Sequence, residues 1–293
     1  DLNNSLIKPD FETDVHMGHP DPKKRMTCSS CHKDDDKHDI KGALHASIAS
    51  SGSNHLLCTD CHKGDEVHKK GMKKKLNAHM KTIACETCHI PVVSKKYPTK
   101  TWWDWTTAGD KKKKVEKDKN GKPLYSWKKG SFKWEKNLKP EYFWYDGSSD
   151  YYLLGEKIKD PKKILTFNRL NGSIKDPKSR IAPFKVMRGI QFYDPETGFL
   201  LVPKLFGKGG YWKTLDWKDS FGKGMKSVGL KFSGKFAPIT TEMYWPLDHM
   251  VAPKKKALKC SACHAGEGKK SILDWKALGY AGDPKKLKTT RFK

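Results

Sequence analysis

The feature that most constrains this chain is the placement of its eight cysteines. Every one lies in a Cys-x-x-Cys-His pattern, at Cys28 to His32, Cys58 to His62, Cys85 to His89 and Cys260 to His264. With twelve histidines in 293 residues, four Cys pairs each followed by His would arise by chance about once in a few hundred thousand cases. Two cysteines three apart can add to the two vinyl groups of one haem, and the next residue then reaches the iron from the same side. The pattern therefore predicts four haem c groups. Cys28, Cys31, Cys58, Cys61, Cys85, Cys88, Cys260 and Cys263 are the expected thioether anchors, and His32, His62, His89 and His264 the expected proximal iron ligands. Zinc sites built from pairs of Cys-x-x-Cys would leave all four following histidines without a role.

Iron needs a sixth ligand or an open position. Eight histidines remain, namely His16, His19, His38, His45, His55, His68, His79 and His249. That surplus favours bis-histidine ligation over His/Met, which would also raise the potentials. Met17, Met72, Met80 and Met250 each sit near a histidine, and methionine is more often a gap-filler than a ligand. Bis-histidine iron has no vacancy for substrate, so the reading favours an electron-transfer protein over an enzyme.

An apolar fraction of 36% is low for a chain of this length. Four porphyrins would supply buried apolar surface, at roughly 25 cal/mol per Å², that the side chains lack. The expected fold is accordingly mostly irregular coil with short helices and a few hairpins, the haems forming most of the core. Hairpins are expected about Asn120-Gly121, between Val115 and Trp127, and about Asp194-Pro195-Glu196-Thr197-Gly198, between Ile190 and Val202. Short helices are expected over Ala43 to Ser50 and over Ser271 to Leu278, the latter with Ser271 as N-cap.

Three regions are expected: residues 1–98 with three haems, residues 99–245 haem-free and rich in aromatics, and residues 246–293 with the fourth haem. The middle region holds Trp102, Trp103, Trp105, Trp127, Trp134, Trp144, Trp212, Trp217 and Trp245. It is more than a linker, because disordered segments are poor in aromatics. The first two motifs resemble a diverged repeat, His38 and His68 each standing six residues after the motif histidine.

Lysine and arginine number 59 against 33 acidic residues, a net charge of +26. Haem propionates would offset about 8 of those charges. The Lys runs 73–75, 111–114 and 254–256 read as solvated faces, and with no binding motif beside them no nucleic-acid partner is expected. The chain opens Asp1-Leu2-Asn3-Asn4, unlike a signal peptide, and no apolar run is long enough to span a bilayer. Because c-type haem is attached outside the cytoplasm, the expectation is an exported chain whose signal was cleaved before Asp1.

Several runs carry a family resemblance. Asp14-Val15-His16-Met17, Cys28 to Lys33, His38 to Gly42, Leu76 to His79 and Ala84 to Pro91 look like the haem-binding part of the octahaem tetrathionate reductase family. Pro98-Thr99-Lys100, Trp103 to Gly109 and Trp245 to Pro253 extend the likeness, which covers roughly residues 14–280. The resemblance implies distal roles for His16, His38, His68, His79 and His249, while His19, His45 and His55 fall at positions with no match to the family. Octahaem members carry further motifs upstream, including a lysine-ligated haem, and the four-motif pattern here is similar instead to tetrahaem cytochromes that polymerise into extracellular conducting filaments.

The functional expectation is thus an electron carrier at the cell surface or outside the cell, a subunit of a head-to-tail homopolymer with His16 as a candidate link between subunits. Its partners would be redox proteins or extracellular acceptors. The alternative is a periplasmic reductase of sulfur or nitrogen oxyanions at one open haem.

Overall fold

The computed structural model describes residues 3–33, 56–63, 67–266, 268–289 and 291. Nine strands follow in chain order: β1 (Thr99–Asp104), β2 (Tyr125–Ser126), β3 (Gly130–Glu135), β4 (Glu141–Tyr145), β5 (Ser149–Tyr151), β6 (Leu165–Thr166), β7 (Asn168–Leu170), β8 (Arg180–Tyr193) and β9 (Ala237–Pro246). The α-helices are α1 (Cys28–Cys31), α2 (Lys73–His79), α3 (Cys85–His89), α4 (Tyr211–Thr214), α5 (Trp217–Ser227), α6 (Cys260–Cys263) and α7 (Pro284–Leu287).

The expectation of a mostly irregular chain with a haem core is overturned. Seven strands form one mixed sheet in the order β2-β3-β1-β8-β9-β6, with β4 also on β8, and β5 and β7 form a separate ribbon. β-branched and aromatic side chains favour the pleated, half-buried surface, and the middle region supplies enough of them to close on itself. β8 is the spine. β9 runs antiparallel along one edge from Phe184↔Pro246 to Tyr193↔Ala237. The other edge takes β4 antiparallel at Arg180 to Phe184 and β1 parallel at Arg188 to Ile190. A Cβ at Gly189 would stand 2.5 Å from the Trp103 carbonyl oxygen, so the close approach of β1 needs glycine there.

Side chains, not only prosthetic groups, make the core. Phe184 is fully buried and meets Phe143, Tyr145 and Tyr244 edge to face. A second cluster joins Trp144 and Ile181 of the sheet to Leu273, Leu278 and Tyr280. A third lies under α5, which Asp216 caps by accepting from the Asp219 amide, and which buries Ser220, Phe221, Gly224 and Met225 on one face.

Both expected hairpins are present. Gly121 bonds back to Asp118 and Leu124 to Glu116, while Asp194 and Phe199 pair across the second turn. The helix expected over Ser271 to Leu278 is a run of turns instead. Ser271 donates to the Cys263 carbonyl and accepts from the Leu273 amide, which ties the segment to the fourth motif rather than starting a helix. The helix expected over Ala43 to Ser50 lies outside the described residues.

Contacts cross the expected regional boundaries. The Ala84 amide donates to the Ile181 carbonyl, Ile181 returns the bond to Thr82, and the Thr87 hydroxyl also donates to Ile181, so α3 is stitched to the start of β8. The segment after β9 is stitched to α3 in turn, Ala252 to His89 and Leu258 to Cys88, and Val15 bonds to Val251. A small cluster of Leu6, Ile90, Val93, Leu247 and Met250 closes this junction.

Candidate haem sites

Each motif folds as one tight turn. The amides of His32, His62 and His264 donate to the carbonyls of Cys28, Cys58 and Cys260 at 2.8–2.9 Å, and His89 ends α3. A single helical turn places both sulfurs and the following imidazole on one side. All eight thiols are free of disulfides. Among the described residues no group of three or more His, Cys, Asp or Glu converges as a metal cluster would need.

Every motif histidine faces a second histidine. The ring centroids of His32 and His249 are 6.0 Å apart, of His62 and His16 6.1 Å, of His264 and His79 6.2 Å, and of His89 and His68 6.4 Å. Two metal–imidazole bonds of about 2 Å plus two ring radii of about 1.1 Å would set centroids roughly 6.2 Å apart on opposite sides of one ion. The observed spacing fits an iron shared by each pair.

Several of these rings are held in the tautomer that a metal needs, with Nδ1 donating and Nε2 left with its lone pair. His264 Nδ1 lies 2.7 Å from Asp283 Oδ1, His79 Nδ1 2.6 Å from the Lys75 carbonyl one helical turn back, and His68 Nδ1 2.9 Å from Asn77 Oδ1. His264 also stacks on Trp275, whose Nε1 donates to the Cys263 carbonyl at 3.1 Å. Burial, with His68 and His62 adding and Glu86 opposing, shifts His89 below the usual histidine value.

Sequence reasoning missed two organisers. Asp14 is buried, and its carboxylate accepts from the amides of His16 and Met17 on one oxygen and of Met250 on the other. It therefore fixes the backbone at His16 and beside His249. Lys95 donates to the carbonyls of Glu12, Thr13 and Met250 and locks the same two segments. The signal for Asp14 was its place two residues before His16. Met250 has its sulfur 3.2 Å from the Ser94 amide, from which it accepts. His19 takes a local role, accepting from the Asp21 amide and meeting Phe11 edge to face. His38 lies outside the described residues, as do His45 and His55.

The anchors of successive motifs are neighbours. Cys31 interacts with Cys61 of the second motif. The Cys58 thiol lies beside Cys85 of the third motif and donates to Glu86 at 3.1 Å. Burial, with Cys85 and Cys260 adding, pushes the Cys88 thiol up to about 11, and burial with Cys88 and Cys260 pushes Cys263 up to about 12. The second and third motifs are thus joined by a hydrogen bond, while the anchors of the first and second and of the third and fourth lie within electrostatic reach of one another.

Cysteines spaced for vinyl addition, each pair followed by an imidazole that looks across at another, define a multihaem c-type cytochrome. The chain belongs to the bacterial cytochrome c family, whose model matches residues 100–267, the sheet together with the fourth motif. An octahaem cytochrome c from Shewanella oneidensis is similar in structure, with a TM-score of 0.88 and 42% identity over 99% of this chain. The chain spans 65% of that protein's length. The comparison with curated proteins found no match. Among the described residues no helix is long and apolar enough to cross a membrane.

Proposed function

We propose that the chain carries four haem c groups, each with two histidine ligands, and relays electrons along them in the order of the motifs. The observation that carries this reading is the set of four facing imidazole pairs at 6.0–6.4 Å. His32 with His249, His62 with His16, His89 with His68 and His264 with His79 supply two imidazoles per iron, and the count closes without His38. When bound, haem c supplies a one-electron Fe(III)/Fe(II) couple. The protein's part would be to offer two imidazoles to each iron, to hold the Nδ1 protons of His264, His79 and His68 on acceptors of the chain, and to keep neighbouring anchors close.

Holo-protein mass and spin state test the reading together. The denatured protein should weigh about 2.5 kDa more than its chain, four haems of ~616 Da held by thioethers, and all four irons should be low-spin. Retention of the chain mass alone would remove the relay. A high-spin iron that binds cyanide or nitrite rapidly would favour the oxyanion reductase instead.

Transport beyond one molecule would require the first-motif and fourth-motif ends of neighbouring copies to pack head to tail, a heterologous contact that yields a filament when it does not close. Because His16 faces His62 of its own chain, such a link would rest on packing between subunits and not on a shared ligand. Haem attachment outside the cytoplasm supports an exported chain, and a filament would work at the cell surface. Electron microscopy of purified holo-protein showing discrete particles at all concentrations would remove the filament.

A further inference from the structure

We propose that Asp283 sets the reduction potential of the haem held by the fourth motif, acting through the imidazole of His264 as a positioning and charge-donating residue. The inference rests on the reading above, that His264 and His79 ligate this haem. His264 Nδ1 and Asp283 Oδ1 are 2.7 Å apart, and their side chains are only 16% and 9% exposed, so water screens the carboxylate poorly. A carboxylate accepting the Nδ1 proton makes the imidazole a stronger donor through Nε2. Its negative charge also favours the oxidised, more positive metal centre over the reduced one. Both effects lower the potential.

The ring has little freedom to escape this contact. Trp275 stacks on it at 5.5 Å, and Trp275 Nε1 and Ser271 Oγ both donate to the Cys263 carbonyl next to His264. On the opposite side His79 donates its own Nδ1 proton to the Lys75 carbonyl at 2.6 Å, so both axial rings are pushed toward stronger donation. The second motif differs. The Asp14 carboxylate stands 3.9 Å from His16 Nδ1, beyond hydrogen-bond reach, and its oxygens serve backbone amides.

Asp283 also has a structural duty, since Oδ1 accepts from the Lys285 amide at 2.9 Å as the N-cap of α7. The two roles can be separated. In Asp283→Asn the side-chain oxygen still accepts from His264 and from Lys285, so ring and cap stay while the charge is lost. Reduction would add one electron to the iron, and the inference requires no bond to be made or broken.

The experiment is a potentiometric titration of the holo-protein, with mass and spin state recorded on every variant. In Asp283→Asn, one of four one-electron transitions should rise until its reduced-to-oxidised ratio at the wild-type midpoint is about tenfold higher, ~59 mV for one electron. Asp283→Glu should return it toward wild type. Asp283→Ser, which keeps a capping oxygen without charge, should give the same rise and serves if the Asn variant does not fold. Four transitions unchanged in variants that hold four low-spin haems would overturn the inference and leave Asp283 as a helix cap. Fewer than four covalent haems, or a high-spin iron, in the wild type would instead overturn the ligand reading and this inference with it.

Discussion

The sheet and the haem-bearing segments are built on different terms. β8 alone buries Ile181, Phe184 and Val186, and α5 buries Phe221 and Met225 against Leu201. By contrast α1, α2, α6 and the turn at Cys58–Asp60 bury no side chain, and α3 buries only Thr87. The sheet is held by its own apolar packing, at roughly 1.5–3 kcal/mol per fully buried large side chain. The motifs hang from it by backbone hydrogen bonds, through Ile181 to α3 and through His89 and Cys88 to the segment after β9. A rigid, self-sufficient scaffold and ligand posts with little packing of their own suit a site where positions must be fixed but the interior belongs to a covalent group.

Four measurements would break or sharpen that contrast. The largest effect is expected in the sheet: Phe184→Ala should destabilise the holo-protein by about 3–5 kcal/mol in denaturant titration, because Phe184 meets three aromatic rings and is 1% exposed. A loss below about 1 kcal/mol would mean that the haems, not the sheet core, carry the stability.

Next, a chain with all eight motif cysteines changed to serine should keep hydrogen-exchange protection in β8 and β9 while α2 and α6 lose about 100-fold, ~2.8 kcal/mol. Equal loss everywhere would make the two regions one cooperative unit. Asp216→Ala, which removes the cap from α5, should cost about 1 kcal/mol without shifting any haem spectrum. A spectral change would tie α5 to the haem sites.

The smallest effect concerns pH. Lys100 lies 3.7 Å from the Trp103 ring centroid, and burial, with Lys129 and Lys185 adding, pushes it down to about 8. Its unfolded value is near 10.4, so between these limits the unfolded chain binds more protons and this group's contribution to stability rises with pH. Relative to Lys100→Met, which retains packing over the rings, the wild type should therefore gain stability from pH 8 to pH 10, read as the difference in denaturation midpoint. A flat difference would show that the ammonium is solvated in the fold. The site is partly exposed, so solvent screening keeps the effect small.

The four motifs were legible because their pattern is local: five consecutive residues contain both sulfurs and the following imidazole, and no distant contact is needed to recognise them. The histidine surplus likewise left a second imidazole available for each motif, and four facing pairs are what the structure shows. Which histidine faces which motif was not legible. His249 comes to the first motif from beyond the end of β9 in the chain, His16 to the second from upstream of the first, and His68 stands across from His89 although it follows the second motif. Nor was the sheet, whose aromatic content signalled order while its spine, β8, pairs with strands before and after it in the chain. Asp283 had no sequence signal, since its partner is 19 residues away and the bond depends on how α7 is placed. Bonds between adjacent residues leave a pattern in sequence. Pairings through space are set only when apolar burial and the backbone ladder decide which segments lie side by side, and in this protein those pairings determine what surrounds each iron.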